Sequence, residues 1–152
     1  MLRQSRAALG ILPVAYPALA GHLTGQRFSF TVPVDVENGD IIELACIPAT
    51  CRPIDIILDS DDLDSNGAPA IVVDVGLMSG DWGDNDNTRT CGQEFFVGAT
   101  TAQAGGVARP TAKTAVRVPS APYARSIGVK IVTKAATAQL GDIGLTVICA
   151  AD

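Results

Sequence analysis

Apolar and polar residues alternate with a period of two through most of this chain, most clearly over residues 53–80. Ile54, Ile56 and Leu58 alternate with Asp55, Ile57 and Asp59, and Ile71, Val73, Val75 and Leu77 alternate with Val72, Asp74, Gly76 and Met78. A period of two fits β-strands and fits no helix, whose apolar positions recur every three or four residues. Between the two runs, residues 59–69 carry Asp59, Asp61, Asp62 and Asp64 together with Ser60, Ser65, Asn66, Gly67 and Pro69. Asn and Gly tolerate positive φ, and Asp and Ser hydrogen-bond their own backbone, so the stretch reads as a solvated turn joining a pair of strands.

The same pattern predicts the other elements. Phe28, Phe30, Val32 and Val34 alternate with Ser29, Thr31 and Pro33, giving a one-sided strand. Asn38-Gly39 signals a hairpin into a strand over residues 40–47. A polar loop follows Gly80, then short strands over 94–97 and 115–119, separated by a Gly-, Ala- and Thr-rich connection. Ile127, Val129 and Ile131 mark the inward face of a strand over 125–133, residues 134–140 suit one helical turn, and Ile143, Leu145, Val147 and Cys149 alternate in the last strand. About eight short strands with almost no helix bury their alternating faces best as two packed sheets. The expected fold is therefore all-β, a jelly-roll-like antiparallel β-sandwich over residues 27–152, preceded by an extended N-terminal arm over residues 1–26.

Composition agrees. A 152-residue chain with 47% hydrophobic and 18% charged residues folds as one domain without metal or disulfide staples. Cys46, Cys51, Cys91 and Cys149 make no CxxC pair, and His22 is the only histidine, so no zinc site is spelled out. All four are expected as free thiols, with a Cys51–Cys91 bridge as the alternative. The net charge of −5 argues against nucleic acid as the main partner. Residues 1–34 nonetheless hold Arg3, Arg6 and Arg27 and no acidic residue.

The arm looks superficially like a secretory signal, with Arg3 and Arg6 before an apolar run. Pro13 and Pro17 interrupt that run, which is also too short to span a membrane. The prolines favour an extended, polyproline-like segment separable from the β domain. It would offer Leu9, Ile11, Leu12, Val14, Tyr16 and Leu19 to a docking groove on a partner, with Arg3 and Arg6 meeting that partner's acidic residues.

Candidate chemistry is thin. Asp62-x-Asp64-x-Asn66-Gly67 matches the first half of a calcium loop, but the twelfth position, where a bidentate Glu belongs, is Val73. Asp81, Asp84 and Asp86 form a second acidic loop with no better claim. Paired carboxylates could serve glycoside hydrolysis, but these cluster within single loops and only Trp82 stands near as an aromatic platform. His22, in the arm, is a poor base for a nucleophilic triad. No phosphate loop is present, and Arg109, Lys113, Arg117, Arg125, Lys130 and Lys134 give the C-terminal half only a basic tint. The expectation is a protein without cofactor, metal or catalytic residues.

Two segments carry a resemblance. ILDSDDLDSNGAPAIVVDVGLMSG at residues 57–80, followed by RTCGQEFFVGATTAQAGG at 89–106, resembles small structural proteins of tailed bacteriophages. These are similar to head decoration, or cement, proteins that coat the major capsid lattice. The resemblance spans residues 27–150. It implies a jelly-roll-like fold, no enzymatic activity, and binding across capsomer junctions on the outer surface of a capsid assembled in the host cytoplasm. The implied partners are the major capsid protein and further copies of the chain, as a homodimer or homotrimer, with neither nucleic acid nor membrane. Two other readings compete: another phage tail or fibre β module, and a secreted β-sandwich that binds carbohydrate, which would need residues 1–26 to be a signal peptide.

Overall fold

The computed structural model describes residues 1–152. Nine strands form two sheets: β1 Leu2–Gln4, β2 Leu23–Val32, β3 Ile41–Ile47, β4 Cys51–Ser60, β5 Val72–Leu77, β6 Phe96–Ala99, β7 Gly106–Ala108, β8 Arg125–Thr133 and β9 Gly141–Ala151. One sheet has the order β1-β3-β8-β5-β6 and the other β2-β9-β4-β7. The antiparallel pairs β2·β9, β3·β8, β4·β7 and β5·β6 nest one inside the next. This is one long hairpin, with its bend between β5 and β6, rolled so that successive pairs fall in alternate sheets. The result is a jelly roll, as the alternation predicts, with β1 added in parallel on the outer edge of β3.

The core lies between the sheets. Phe28 and Val32 of β2, Ile56 and Leu58 of β4, Val73 and Val75 of β5, Ile127, Val129 and Ile131 of β8, and Ile143, Leu145 and Val147 of β9 share it. The inward phase of β8 and β9 is the one the sequence shows. In β4 a bulge between Pro53 and Asp55 shifts the phase, so Pro53 is buried and Ile54 faces out. All four cysteines are free. Burial pushes the Cys46, Cys91 and Cys149 thiols up to about 12.

Several expected elements differ. The runs over 53–59 and 71–78 are strands, but β4 and β5 lie in opposite sheets, so the acidic stretch is a crossover and not a hairpin turn. Asn38-Gly39 likewise joins β2 to β3 across the sandwich, with Gly39 at φ +88°. In a rolled hairpin each strand pairs with one distant in sequence, and local turn chemistry cannot show that. The strand expected over 115–119 is replaced by a 3-10 turn, Lys113–Val116. Residues 134–140 form no helical turn, because Ala136 and Thr137 are recruited as backbone donors to a buried acid. The sandwich also crosses the boundary expected at residue 27, since β2 starts at Leu23 and β1 lies within the segment read as an arm.

That acid is Asp64, 1% exposed. Its Oδ1 accepts the backbone N–H groups of Thr137 at 2.8 Å and Asn66 at 3.3 Å. Its Oδ2 accepts those of Ala70 at 2.7 Å, Ala136 at 2.8 Å and Ile71 at 3.3 Å. One carboxylate thus ties the β4–β5 crossover to the β8–β9 crossover. Asp62 caps the N–H of Asp64 at 2.9 Å, so the Asp-x-Asp-x-Asn-Gly run spends its oxygens on the backbone. Desolvation by burial raises the Asp64 pKa, but the N–H bonds from Ala70, Thr137, Ala136 and Asn66 outweigh it and hold the carboxyl well below its ordinary value.

A depressed folded-state pKa means that Asp64 stabilises the fold while ionised. The contribution is complete above the unfolded value of about 4 and is lost as pH falls through the folded value. Asp64→Asn turns an amide toward N–H donors, so the neutral substitution that a solvated turn would suggest is not expected. Thermal melts at pH 7 should show a clear drop in Tm, and the gap to wild type should narrow below about pH 3. Val73→Asp and Leu145→Asp, at positions 0% exposed, should yield no folded protein by circular dichroism.

Candidate docking surface

The N-terminal residues are built into the domain and then out onto its surface. Leu2–Gln4 pair with Ile41, Ile42 and Glu43 of β3. The chain then turns sharply. Ser5 Oγ accepts the N–H of Ala8, Leu9 N–H bonds to Ser5 O, and Gly10 at φ +73° lets Ile11 N–H reach Arg6 O. The turn buries Ala7 and Ala8 and points Leu9, Ile11 and Leu12 outward. Beyond it, the Gln26 side chain grips Pro13 O at 2.8 Å and the N–H of Ala15 at 2.6 Å. The Tyr16 hydroxyl sits 3.1 Å from that of Thr50, and Gly21 and His22 pair with Ala151.

The residues singled out in the arm therefore divide. Leu9, Ile11, Leu12, Tyr16 and Leu19 are each between 45% and 64% exposed, and Arg6 is exposed with no ion pair. Val14 is half-buried against the core. Arg3 finds its acids at home, Asp35 at 3.2 Å and Asp40 at 3.8 Å, rather than on a partner. The segment is not a free arm, because backbone pairing to β3 and the Gln26 clamp hold it.

The loop between β5 and β6 flanks this surface. Met78 pairs with Cys91, and the loop folds back over the outer face of the first sheet. It passes so close that a Cβ on Gly76 would collide with the backbone of Gly92. Its anchor is a buried ion pair that the pattern of strands does not reveal, Glu43 in β3 with Arg89 in the loop, 2.9 Å apart with side chains 0% and 2% exposed. Arg89 also donates to Ser79 O, Asp84 O and Ser126 Oγ. Glu43 accepts from Ser126 Oγ at 2.6 Å, Gly83 N–H at 3.0 Å and Gln4 Nε2 at 2.8 Å. The signal in the sequence is a single Glu inside the apolar strand Ile41–Ile47. The network fixes Trp82, whose ring shares an apolar groove with Val14, Tyr16, Cys46, Pro48, Ala49 and Ala124. A second groove, lined by Gln4, Arg6, Leu9, Ser29, Phe30 and Thr31, runs beside the free edge of β2.

No helix of the structure is long and apolar enough to cross a membrane. The buried carboxylates Asp64 and Glu43 are engaged by backbone donors and by an ion pair, and what the surface offers is pre-shaped contact area. No family model and no curated protein matches the chain. Among solved structures, a chain in the capsid of Ralstonia phage GP4 superposes with a TM-score of 0.96 and 44% identity, over 100% of this chain and 99% of that one. This chain belongs to the same family as that phage capsid component. A chain of the cyanophage Pam1 capsid asymmetric unit shares the fold, with a TM-score of 0.71 and 22% identity over 93% of each chain.

Arg89→Met would leave Glu43 buried without its countercharge, and should cost about 3–5 kcal/mol in urea unfolding. Adding Glu43→Gln should recover part of that loss, since the uncompensated charge is then gone. A single Arg89→Met loss below about 1 kcal/mol would show that the pair does not anchor the loop.

Proposed function

We propose that this protein is a capsid decoration protein that binds the outside of a tailed-phage shell and stabilises the lattice of its major capsid subunit. The observation that carries this reading is the full-length likeness to a component of the GP4 capsid. The exposed apolar side chains of Leu9, Ile11, Leu12, Tyr16 and Leu19, held on one fastened segment, support it as groups that a partner surface would cover. The role is structural and not catalytic. The partners are the major capsid subunit and neighbouring copies of this chain, and attachment strengthens the shell by burying surface across subunit junctions.

Deleting residues 1–24 would be a poor test, since it removes β1, the start of β2 and buried Ala7 and Ala8. A triple variant, Ile11→Ser, Leu12→Ser and Leu19→Ser, keeps the backbone pairing and alters only exposed positions. Wild type should co-sediment with heads assembled without this protein, and the variant should bind at least tenfold more weakly at unchanged Tm. Wild type left in the supernatant would end the decoration reading.

A further inference from the structure

We infer that the groove between Tyr16 and Trp82 receives an extended segment of the capsid shell subunit that presents a bulky apolar side chain next to a Lys or Arg. The inference rests on the decoration reading above and names the chemistry of the partner. The groove is about 290 Å3 and almost wholly apolar. That is far above the ~10–15 Å3 that one water needs on the same measure, enough for a large side chain. Tyr16 comes from the N-terminal segment and Trp82 from the β5–β6 loop, with Cys46 and Pro48 at the end of β3 and Ala124 just before β8. Both aromatic walls are set in place beforehand, Tyr16 through Thr50 Oγ1 and Trp82 through the bond from neighbouring Gly83 N–H to Glu43. Tyr and Trp are the side chains that most often dominate binding energy, because they bury large area at little entropic cost.

Charge selects the occupant. The loop that carries Trp82 also carries Asp81, Asp84 and Asp86, all exposed and none in an ion pair. The Asp86 carboxylate caps Thr88. Arg89, the base nearest in sequence, is turned inward to Glu43. A purely apolar partner would desolvate these acids without return, and an acidic one would be repelled. A basic residue flanking the inserted side chain suits both the groove and the acids carried by the Trp82 loop.

Co-sedimentation with undecorated heads at ~50 and ~500 mM NaCl tests this with Trp82→Ala, Tyr16→Ser and the pair Asp81→Asn with Asp84→Asn, each checked for wild-type Tm. The aromatic variants should bind ~10-fold or more weakly at both salt concentrations. The charge variant should lose ~3–10-fold at low salt and converge on wild type at high salt, where charges at the surface are screened. If Trp82→Ala is misfolded, Tyr16→Ser and the charge pair decide. Full binding by Tyr16→Ser and the charge pair beside a binding wild type would overturn the groove and leave the decoration reading standing. A wild type that does not bind would overturn both. Sedimentation velocity on the free protein supplies the last outcome. An oligomer that Tyr16→Ser or the charge pair disperses would assign the groove to a second copy of this chain and overturn the shell segment as its occupant.

Discussion

The buried pair of Glu43 and Arg89 holds the outer face of the first sheet together. Two charges taken out of water are costly, and their attraction compensates only when the remaining donors and acceptors are satisfied. Here they are. Arg89 reaches two loop carbonyls and the Ser126 hydroxyl, and Glu43 takes a hydroxyl, a backbone N–H and the Gln4 amide as well. Those partners come from β3, β8, the β5–β6 loop and β1, so one interaction sets where the loop lies and where the N-terminal segment starts. A hydrophobic pair could fill the same space. It could not also orient Gly83 and Asp84 on either side of the anchor, which is what places Trp82 on the surface.

Asp64 does for the ends of the sandwich what Glu43 does for its face. A rolled hairpin has long crossovers that pass between sheets about 10 Å apart, and their backbone groups lie outside any ladder. The carboxylate of Asp64 collects N–H groups from two such crossovers at once. It has no cationic partner in an ion pair, so its charge is carried by backbone dipoles alone. Around it, Ser65 N–H bonds to Thr137 O and Gln139 N–H to Leu63 O, extending the link into a short seam.

The legible part of this fold is the part written in a period of two. The inward faces of β8 and β9 follow from Ile127, Val129, Ile131, Ile143, Leu145 and Val147, because each such residue faces the same core whichever strand lies beside it. Pairing is another matter. The acidic stretch after β4 has every residue of a tight turn, yet it joins opposite sheets, since turn propensity is local and sheet membership is not. The buried charges escaped for a related reason. Asp64 sits among exposed Asp61 and Asp62 with nothing in the sequence to tell them apart. Glu43 betrays itself only by standing in an apolar strand, and its partner lies 46 positions away. The row Leu9, Ile11, Leu12, Tyr16 and Leu19 was visible as apolar surface, but not as surface already fastened to its own domain.

That fastening changes the energetics of the attachment proposed above. A free arm of some twenty residues would lose ~1–2 kcal/mol of backbone entropy per residue on docking. Its handful of apolar side chains, at ~1.5–3 kcal/mol each for complete burial, could not offset that without new backbone bonds to the partner. In the folded protein those backbone bonds are already made within the chain, through β3, Gln26 and Ala151. The ordering cost is thus met when the domain folds, and docking only has to cover side chains that are about half exposed. Each then contributes on the order of 1 kcal/mol, so a single contact of this kind is modest. A rigid surface that touches more than one shell subunit gains from multivalency, because the second contact forms at high effective concentration once the first is made. On the decoration reading proposed above, modest contacts on a rigid body, repeated around a lattice, would let a domain this small reinforce a shell.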